Sequence, residues 1–382
     1  MDDYFHNKSE SDNTANIEMK IVFVENGFLP GGAQNVLRQF FNMVSVSDIK
    51  TSILSLRPPH RSFDESNYSG VVCYPEKRLG KFSEILYAYK YFNSEKPDVL
   101  FCTSSNVFWV VYISLFFTKL NTKIFFRYPT TPSLEMKDKN MPKMFGLLLK
   151  CTNFILLKSK RVRLIAQTEE IARDIASYYK VDARKIDVIH NPIDTDYILE
   201  KSCAESKIII DKTALNILFL GRVRYAKGLD FLLHALELAN GSGLKFVLHV
   251  VGDFDVSDPY YKMCIELIDK YKLRDSVVLY GHLENPFAEI KACDLFVLPS
   301  RREGLPNVLL ECLLFGKKIV STNCVPVIER ILSCNPDYIV EFGDIGSLSS
   351  KIINHRALSS PKFGNYKPVQ PEEFIRFLKG FQ

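Results

Sequence analysis

The stretch LNILFLGRVRYAKGLDFLLHALELA, residues 215–239, runs from an apolar segment through a basic loop bounded by glycines into a helical pattern. Six residues rich in Leu, Ile and Phe suit a strand covered on both faces, and Leu229, Leu232, Leu233 and Leu236 follow helical spacing. This is a strand–loop–helix unit. MKIVFVENGFLPGGAQNVLRQFFNMV, from Met19 to Val44, reads the same way with a glycine-rich turn. KTSILSL, SGVVCYP, PDVLFCTSS, TKIFFRYP and VRLIAQTEEIARDIASYY continue the alternation in the first half, and LKFVLHVVGD, SVVLYGHLEN, ACDLFVLPS, KKIVSTN and DYIVEFGD continue it in the second. Short apolar strands alternating with helices give an α/β protein with two doubly wound parallel sheets. The polar stretch LEKSCAESKIIIDKT separates them. The expected organisation is a flexible leader over 1–18, a Rossmann-like unit over 19–205 and a second over 206–369. A terminal amphipathic helix in 370–382 is placed to cross back to the first unit.

The 382 residues are 47% hydrophobic and 24% charged, which is long enough for two cores of ordinary size. A net charge of +5 is mild and does not point to a nucleic-acid binder. The nine cysteines include no CxxC pair and no His–Cys cluster at metal spacing, so the chain reads as a reduced, cytosolic protein without structural zinc. The leader lacks the charged-then-apolar design of a signal peptide. The longest apolar run, VFWVVYISLFF over Val107–Phe117, is too short to span a bilayer and reads as a core helix or a monotopic contact.

In open α/β sheets ligands sit at the carboxyl ends of strands, so the loops after strands carry the chemistry. Arg222 and Lys227 lie between the strand and the helix of the 215–239 unit; two cations beside a helix N-terminus favour phosphate. In CDLFVLPSRREGLPNVLLECLLFGKKIV a second strand leads through Glu303, Gly304 and Leu305 to a helix from about Pro306, with Asn307 in its first turn. The amides of 304–308 form an anion-binding nest, and Glu311 can accept two hydrogen bonds from a diol such as ribose. Glu303 and Glu311 then stand roughly 12 Å apart, near the reach of a nucleotide diphosphate. The spacing by itself leaves two readings open, a surface helix with a Glu at each end or one wall of a site.

The ordered set of GFLPGGAQNVL, IAQTEEIARDI, VIHNPIDTDYI, GRVRYAKG, VVGDFD, VVLYGHLEN and the Glu303-x7-Glu311 pattern resembles the retaining glycosyltransferases of family 4, from Met19 onward. The resemblance implies the GT-B fold, two Rossmann-like domains facing across a cleft. It also implies a nucleotide-sugar donor, with a UDP-sugar favoured and a GDP-sugar the rival, and neither a cofactor nor a metal. Arg222 and Lys227 correspond to the pair that holds the donor phosphates, Glu311 to the ribose ligand and Glu303 to the carboxylate facing the donor sugar. Gly304 and Leu305 would supply amides, and Gly31 and Gly32 the loop approaching the diphosphate. His282, in the YGHLEN loop after a strand, reads either as a core or surface residue or as an edge of the base pocket. Many members carry a His in the N-terminal domain beside the sugar. FCTSSNVFW and FFRYPTTPS have none, and Arg127, with Thr103, Ser104 or Asn106, is the expected substitute.

Other signals have plainer readings. Asp194-Thr195-Asp196 and Asp253-Phe254-Asp255 are acidic triplets of a kind common by chance, His190, His234 and His249 read as core or surface residues, and Cys312 as a small packing residue. MPKMFGLLLKCTNFILLKSKRVRLI, 141–165, mixes apolar clusters with Lys143, Lys150, Lys158, Lys160, Arg161 and Arg163. It suits either an inter-strand helix or a peripheral contact with an anionic leaflet. The resemblance implies hexosyl transfer to a glycan, lipid-linked at the inner face of the cytoplasmic membrane, in surface polysaccharide synthesis. A transferase with a soluble acceptor and a non-catalytic nucleotide-sugar-binding subunit are the alternatives.

Overall fold

The computed structural model describes residues 19–28, 32–60, 63–103, 107–133, 159–359, 362 and 364–380. Gly31, Ser104, Asn106 and most of the basic segment 141–165 lie outside them. The chain forms two units, one from residues up to Pro192 together with Pro368–Gln382, the other Ile193–Lys367.

The first unit is built on β1 (Lys20–Glu25), α1 (Gly32–Ser45), β2 (Lys50–Ser55), β3 (Val71–Cys73), α2 (Lys81–Glu95), β4 (Val99–Cys102), α3 (Phe108–Phe116), β5 (Lys123–Tyr128), β6 (Val162–Ala166), α4 (Glu169–Tyr179) and β7 (Ile186–Val188). All pairings are parallel, in the order β3-β2-β1-β4-β5-β6-β7. The period-2 alternation of a strand explains how such apolar runs are used. In β1, Ile21 and Phe23 enter the core on one face and Val22 and Val24 the core on the other.

The second unit comprises α5 (Thr195–Lys201), β8 (Leu215–Leu220), α6 (Leu229–Gly241), β9 (Phe246–Val251), α7 (Pro259–Lys270), β10 (Val277–Gly281), α8 (Phe287–Ala292), β11 (Leu295–Leu298), α9 (Asn307–Leu314), β12 (Lys318–Thr322), α10 (Pro326–Ile331), β13 (Ile339–Val340) and α11 (Ile345–Ile353). Its parallel sheet has the order β10-β9-β8-β11-β12-β13. In both sheets the strand order reverses beside the first strand, between β1 and β4 and between β8 and β11. These are the topological switch points where open α/β sheets bind ligands.

The boundary between units falls at 192/193, not at the expected 205/206. The polar stretch 199–213 is a surface connection inside the second unit. α5, which precedes it, is fastened there by the Tyr197–Phe287 ring contact at 6.3 Å and by Asn285 Nδ2 donating to the Lys201 carbonyl at 2.8 Å. The last helix, α12 (Pro371–Lys379), belongs to the first unit. Phe374 and Phe377, three positions apart and so on one helix face, pack on Phe40 at 4.6 Å and on Phe125 at 5.1 Å.

Candidate active site

The loop after β8 and the loop after β11 meet at the second unit's switch point. Lys227 Nζ lies 2.8 and 2.9 Å from the two carboxylate oxygens of Glu303, and the Ser300 hydroxyl donates to Glu303 Oε1 at 2.6 Å. The carboxylate is almost covered, with 8% of its side chain exposed, whereas Lys227 keeps 30%. Ser300 is held from behind by the Thr322 hydroxyl, which donates to its carbonyl at 2.6 Å. Burial, reinforced by the charge of Glu303, pushes the neighbouring Cys324 thiol up to about 12, so it stays a neutral wall.

Backbone geometry lets the two loops approach. Gly228 sits at φ +69°, and a Cβ there would lie 2.0 Å from the Pro299 carbonyl oxygen. Only glycine combines that left-handed conformation with that proximity. The Arg301 and Arg302 amides donate to the Ala226 carbonyl at 2.8 and 3.3 Å. Arg301 adds a side-chain clamp: its guanidinium binds both oxygens of Asp230 at 2.7 and 2.5 Å, donates to the Tyr225 carbonyl at 2.9 Å and lies 4.0 Å from the Tyr225 ring centroid. Tyr260 donates to Asp230 Oδ1 at 2.5 Å. Burial alone would raise the Asp230 carboxyl, but the hydrogen bonds from Arg301 and Tyr260 outweigh it and hold the group below its ordinary value. A buried carboxylate and a largely covered guanidinium satisfied in this way fix the loops that carry Lys227 and Glu303.

Arg222 follows β8, is exposed, and has no ion-pair partner among the described residues. Gly304 and Leu305 precede α9; their amides donate no hydrogen bond to protein among the described residues, and the Leu305 side chain is buried in the core. The helix starts at Asn307 with Pro306 as its cap, one residue later than the sequence pattern placed it. Glu311 is the fifth residue of α9 and is 9% exposed. His282, exposed after β10, lies two strands away from β8 in the sheet order, and among the described residues no hydrogen bond joins it to the Lys227–Glu303 pair. The acidic triplets serve local turns: Asp194 caps α5 by accepting from the Tyr197 amide, and Asp255 accepts from the Ser257 amide and hydroxyl. Among the described residues no three His, Cys, Asp or Glu side chains converge as a metal-binding group would.

In the first unit the strand ends carry a different network. Gly32 opens α1. Glu25, at the end of β1, accepts from the Thr103 hydroxyl and from the Asn26 amide. Burial pushes the Glu25 carboxyl up, against these hydrogen bonds and the charge of Arg127. Arg127 is 2% exposed and donates to Gln167 Oε1 at 2.9 Å and to Asn191 Oδ1. The guanidinium expected to face substrate is therefore an internal brace across the ends of β5 and β6. Sequence reasoning passed over Arg301, Asp230, Ser300 and Glu25. Arg301 stood in the quoted SRREG segment, but its partner is 71 residues away and nothing in the local pattern marks it.

Two family models cover most of the chain: "Glycosyltransferase Family 4" matches residues 30–197 and "Glycosyl transferases group 1" matches 204–362. An uncharacterized 41.2 kDa protein in the cps region of Klebsiella pneumoniae is 28% identical over 284 residues, 70% of this chain and 74% of that protein. The capsular polysaccharide biosynthesis glycosyltransferase CapM of Staphylococcus aureus is 22% identical, with 68% of each chain aligned. A Campylobacter jejuni 4-alpha-N-acetylgalactosaminyltransferase, named for a diphospho-undecaprenol-linked substrate, is 26% identical over 53% of this chain and 51% of its own. Among solved structures, HepE from Anabaena, crystallised with UDP and glucose, superposes with a TM-score of 0.70 at 17% identity, covering 88% of this chain and 89% of that one. With two Rossmann-like units of parallel sheet, the paired family matches and this likeness of fold, the chain belongs to glycosyltransferase family 4 and has the GT-B fold.

Proposed function

We propose that the protein is a retaining hexosyltransferase that moves a sugar from a nucleotide donor, a UDP-sugar in preference to a GDP-sugar, to a growing lipid-linked glycan in surface polysaccharide synthesis. The observation that carries the reading is the Lys227–Glu303 pair at the second unit's switch point, with Arg222 and the Gly304 and Leu305 amides on the same two loops. Departure of a nucleoside diphosphate from the sugar's anomeric carbon places negative charge on the β-phosphate. Lys227, Arg222, those amides and the N-terminal end of α9 meet it with fixed positive potential, so no metal is needed in this scheme. Glu303, held by Ser300 and Lys227, faces the sugar hydroxyls, and Glu311 takes the ribose diol. The acceptor hydroxyl attacks the anomeric carbon on the face the diphosphate leaves, and its proton passes to the departing phosphate oxygen.

CapM and the Campylobacter enzyme support the glycan and lipid-linked part of the reading, and the UDP in HepE supports the nucleotide. The proposed location is peripheral, at the inner face of the cytoplasmic membrane; among the described residues no helix is long and apolar enough to cross a bilayer. The test is a thermal-shift panel of UDP- and GDP-sugars on wild type, Lys227→Ala and Glu303→Ala. A native-state ligand at about 100 times its Kd adds about 2.7 kcal/mol of stability. The expected result is a shift with one UDP-sugar, reduced in both variants; absence of any shift with every nucleotide sugar refutes the reading.

A further inference from the structure

One flank of the first unit keeps large apolar side chains in water. Phe82 and Leu86 on α2 are 80% and 44% exposed, and Phe116 and Phe117 at the end of α3 are 76% and 66% exposed. α2 and α3 pack on the same sheet face, where Tyr87, Tyr91 and Phe92 of one and Phe108, Val111 and Leu115 of the other share a core. The helices touch where the Ser114 hydroxyl donates to the Ile85 carbonyl at 3.0 Å. Phe82, Leu86, Phe116 and Phe117 each lie within about one helical turn of that contact along the chain, so both exposed pairs border the same helix–helix contact. Scattered exposed hydrophobics are ordinary, but four that flank a single helix–helix contact are not.

The charge around the patch is predominantly positive, with Glu76 and Glu95 as the acids at its borders. Lys77, Arg78 and Lys81 lead into α2, and Lys119 follows α3. From Lys77 to Ser94 the only acid is Glu84, which is buried and paired with Lys81 at 2.8 Å. From Phe108 to Lys123 there is none. Exposed aromatic rings inside a basic fringe complement an anionic lipid surface, where rings enter the headgroup–acyl boundary and cations stay with the phosphates.

We propose that the α2–α3 flank of the first unit docks on an anionic bilayer, with Phe82, Phe116 and Phe117 inserting and Lys77, Arg78 and Lys119 holding the headgroups. Its residues are not those of the basic segment 141–165, although Arg161 donates to the Leu120 carbonyl at 3.1 Å, beside Lys119, and the proposal does not depend on which sugar is transferred. The test is flotation of the full chain with vesicles of phosphatidylcholine containing roughly 30% phosphatidylglycerol, and with phosphatidylcholine alone, at low and raised salt. Wild type floats with the anionic vesicles and not with the neutral ones. F82S/F116S/F117S loses at least about tenfold in partitioning, and K77Q/K119Q loses about 25-fold, on the order of fivefold per cation. All these positions are exposed, so unchanged melting temperatures certify the fold. The proposal is overturned if wild type does not float, if it floats equally on neutral vesicles, if the triple variant partitions like wild type, or if sedimentation shows that the patch joins two copies of the chain. Thermal shifts by nucleotide sugars are read separately, so failure here leaves the donor reading standing.

Discussion

Gly228→Ala should damage stability and transfer together, because one methyl group separates the two loops of the site. The new Cβ would stand 2.0 Å from the Pro299 carbonyl oxygen, more than about 1 Å short of van der Waals contact. It would also hold a non-glycine residue at φ +69°. The left-handed conformation costs about 1–2 kcal/mol and the overpacking about 1–3 kcal/mol, or roughly 2–5 kcal/mol in all. For a unit of this size that corresponds to a fall in Tm on the order of 5–15 °C. Relief of the clash must push the 299–303 loop away from Lys227, and a displacement of about 1 Å at a preorganised site costs on the order of 100-fold in rate. The assay pairs calorimetry with donor-dependent transfer. Gly241→Ala is the control, since a Cβ there meets nothing within 4 Å; it should be neutral or stabilise by up to about 1 kcal/mol. If Gly228→Ala melts with Gly241→Ala and retains transfer, the close approach of these loops is not what organises the site.

Two further predictions concern pH. Asp230 has a folded pKa below its unfolded value, so its contribution is complete above about pH 4 and is lost as pH falls through the folded value. Asp230→Asn should remove part of that acid-side fall in urea denaturation and cost about 1–3 kcal/mol at neutral pH, with Arg301 left without its counter-charge; an unchanged acid limb would refute the clamp. His249 is buried between the Tyr280 hydroxyl at 3.1 Å and Asn216 Oδ1 at 3.2 Å, and burial pushes its pKa down against the pull of Asp294. Its contribution is present above about pH 6.5 and fades as pH falls below that, so His249→Gln should flatten the stability profile between about pH 7 and 5. A slope that survives the substitution would assign it to another group.

The sheets were legible in the sequence because a strand covered on both faces is written as an unbroken apolar run, as in ILFL of β8 or VLFC of β4. β7 was not, since Ile-Asp-Val is short, half-exposed and polar at its centre; its pairing with β6 is set by partners, not by its own pattern. The unit boundary was misplaced for a related reason. Polarity marks solvent exposure, and the 199–213 stretch is exposed without being a hinge between units. Of the candidate site, Lys227 and Glu303 could be placed on strand-end loops because periodicity locates such loops, and the structure brings the two together. Their supports, Arg301 with Asp230 and Ser300 with Thr322, depend on which loops become neighbours, and that is settled only when β8 and β11 lie side by side.

The two units repeat one strand order and use their switch points differently. In the first, the buried guanidinium of Arg127 is occupied by Gln167 and Asn191, and Glu25 sits in surroundings that favour its neutral form. Such a network resists rearrangement, because every member it released would be a buried polar group without a partner. In the second, the carboxylate is fixed by Ser300 while the cation remains partly in water. Lys227 can therefore leave Glu303 for an incoming phosphate at modest cost, and Glu303 would keep its Ser300 hydrogen bond as it turned to a sugar hydroxyl. Under the proposed reading the empty site holds part of its positive charge in reserve, and Arg222, exposed and without an ion-pair partner among the described residues, makes the first contact with the donor. Arg222→Ala should then lower the association rate of the nucleotide sugar and its salt dependence more than it changes transfer at saturation, whereas Lys227→Ala should lower transfer at saturation as well.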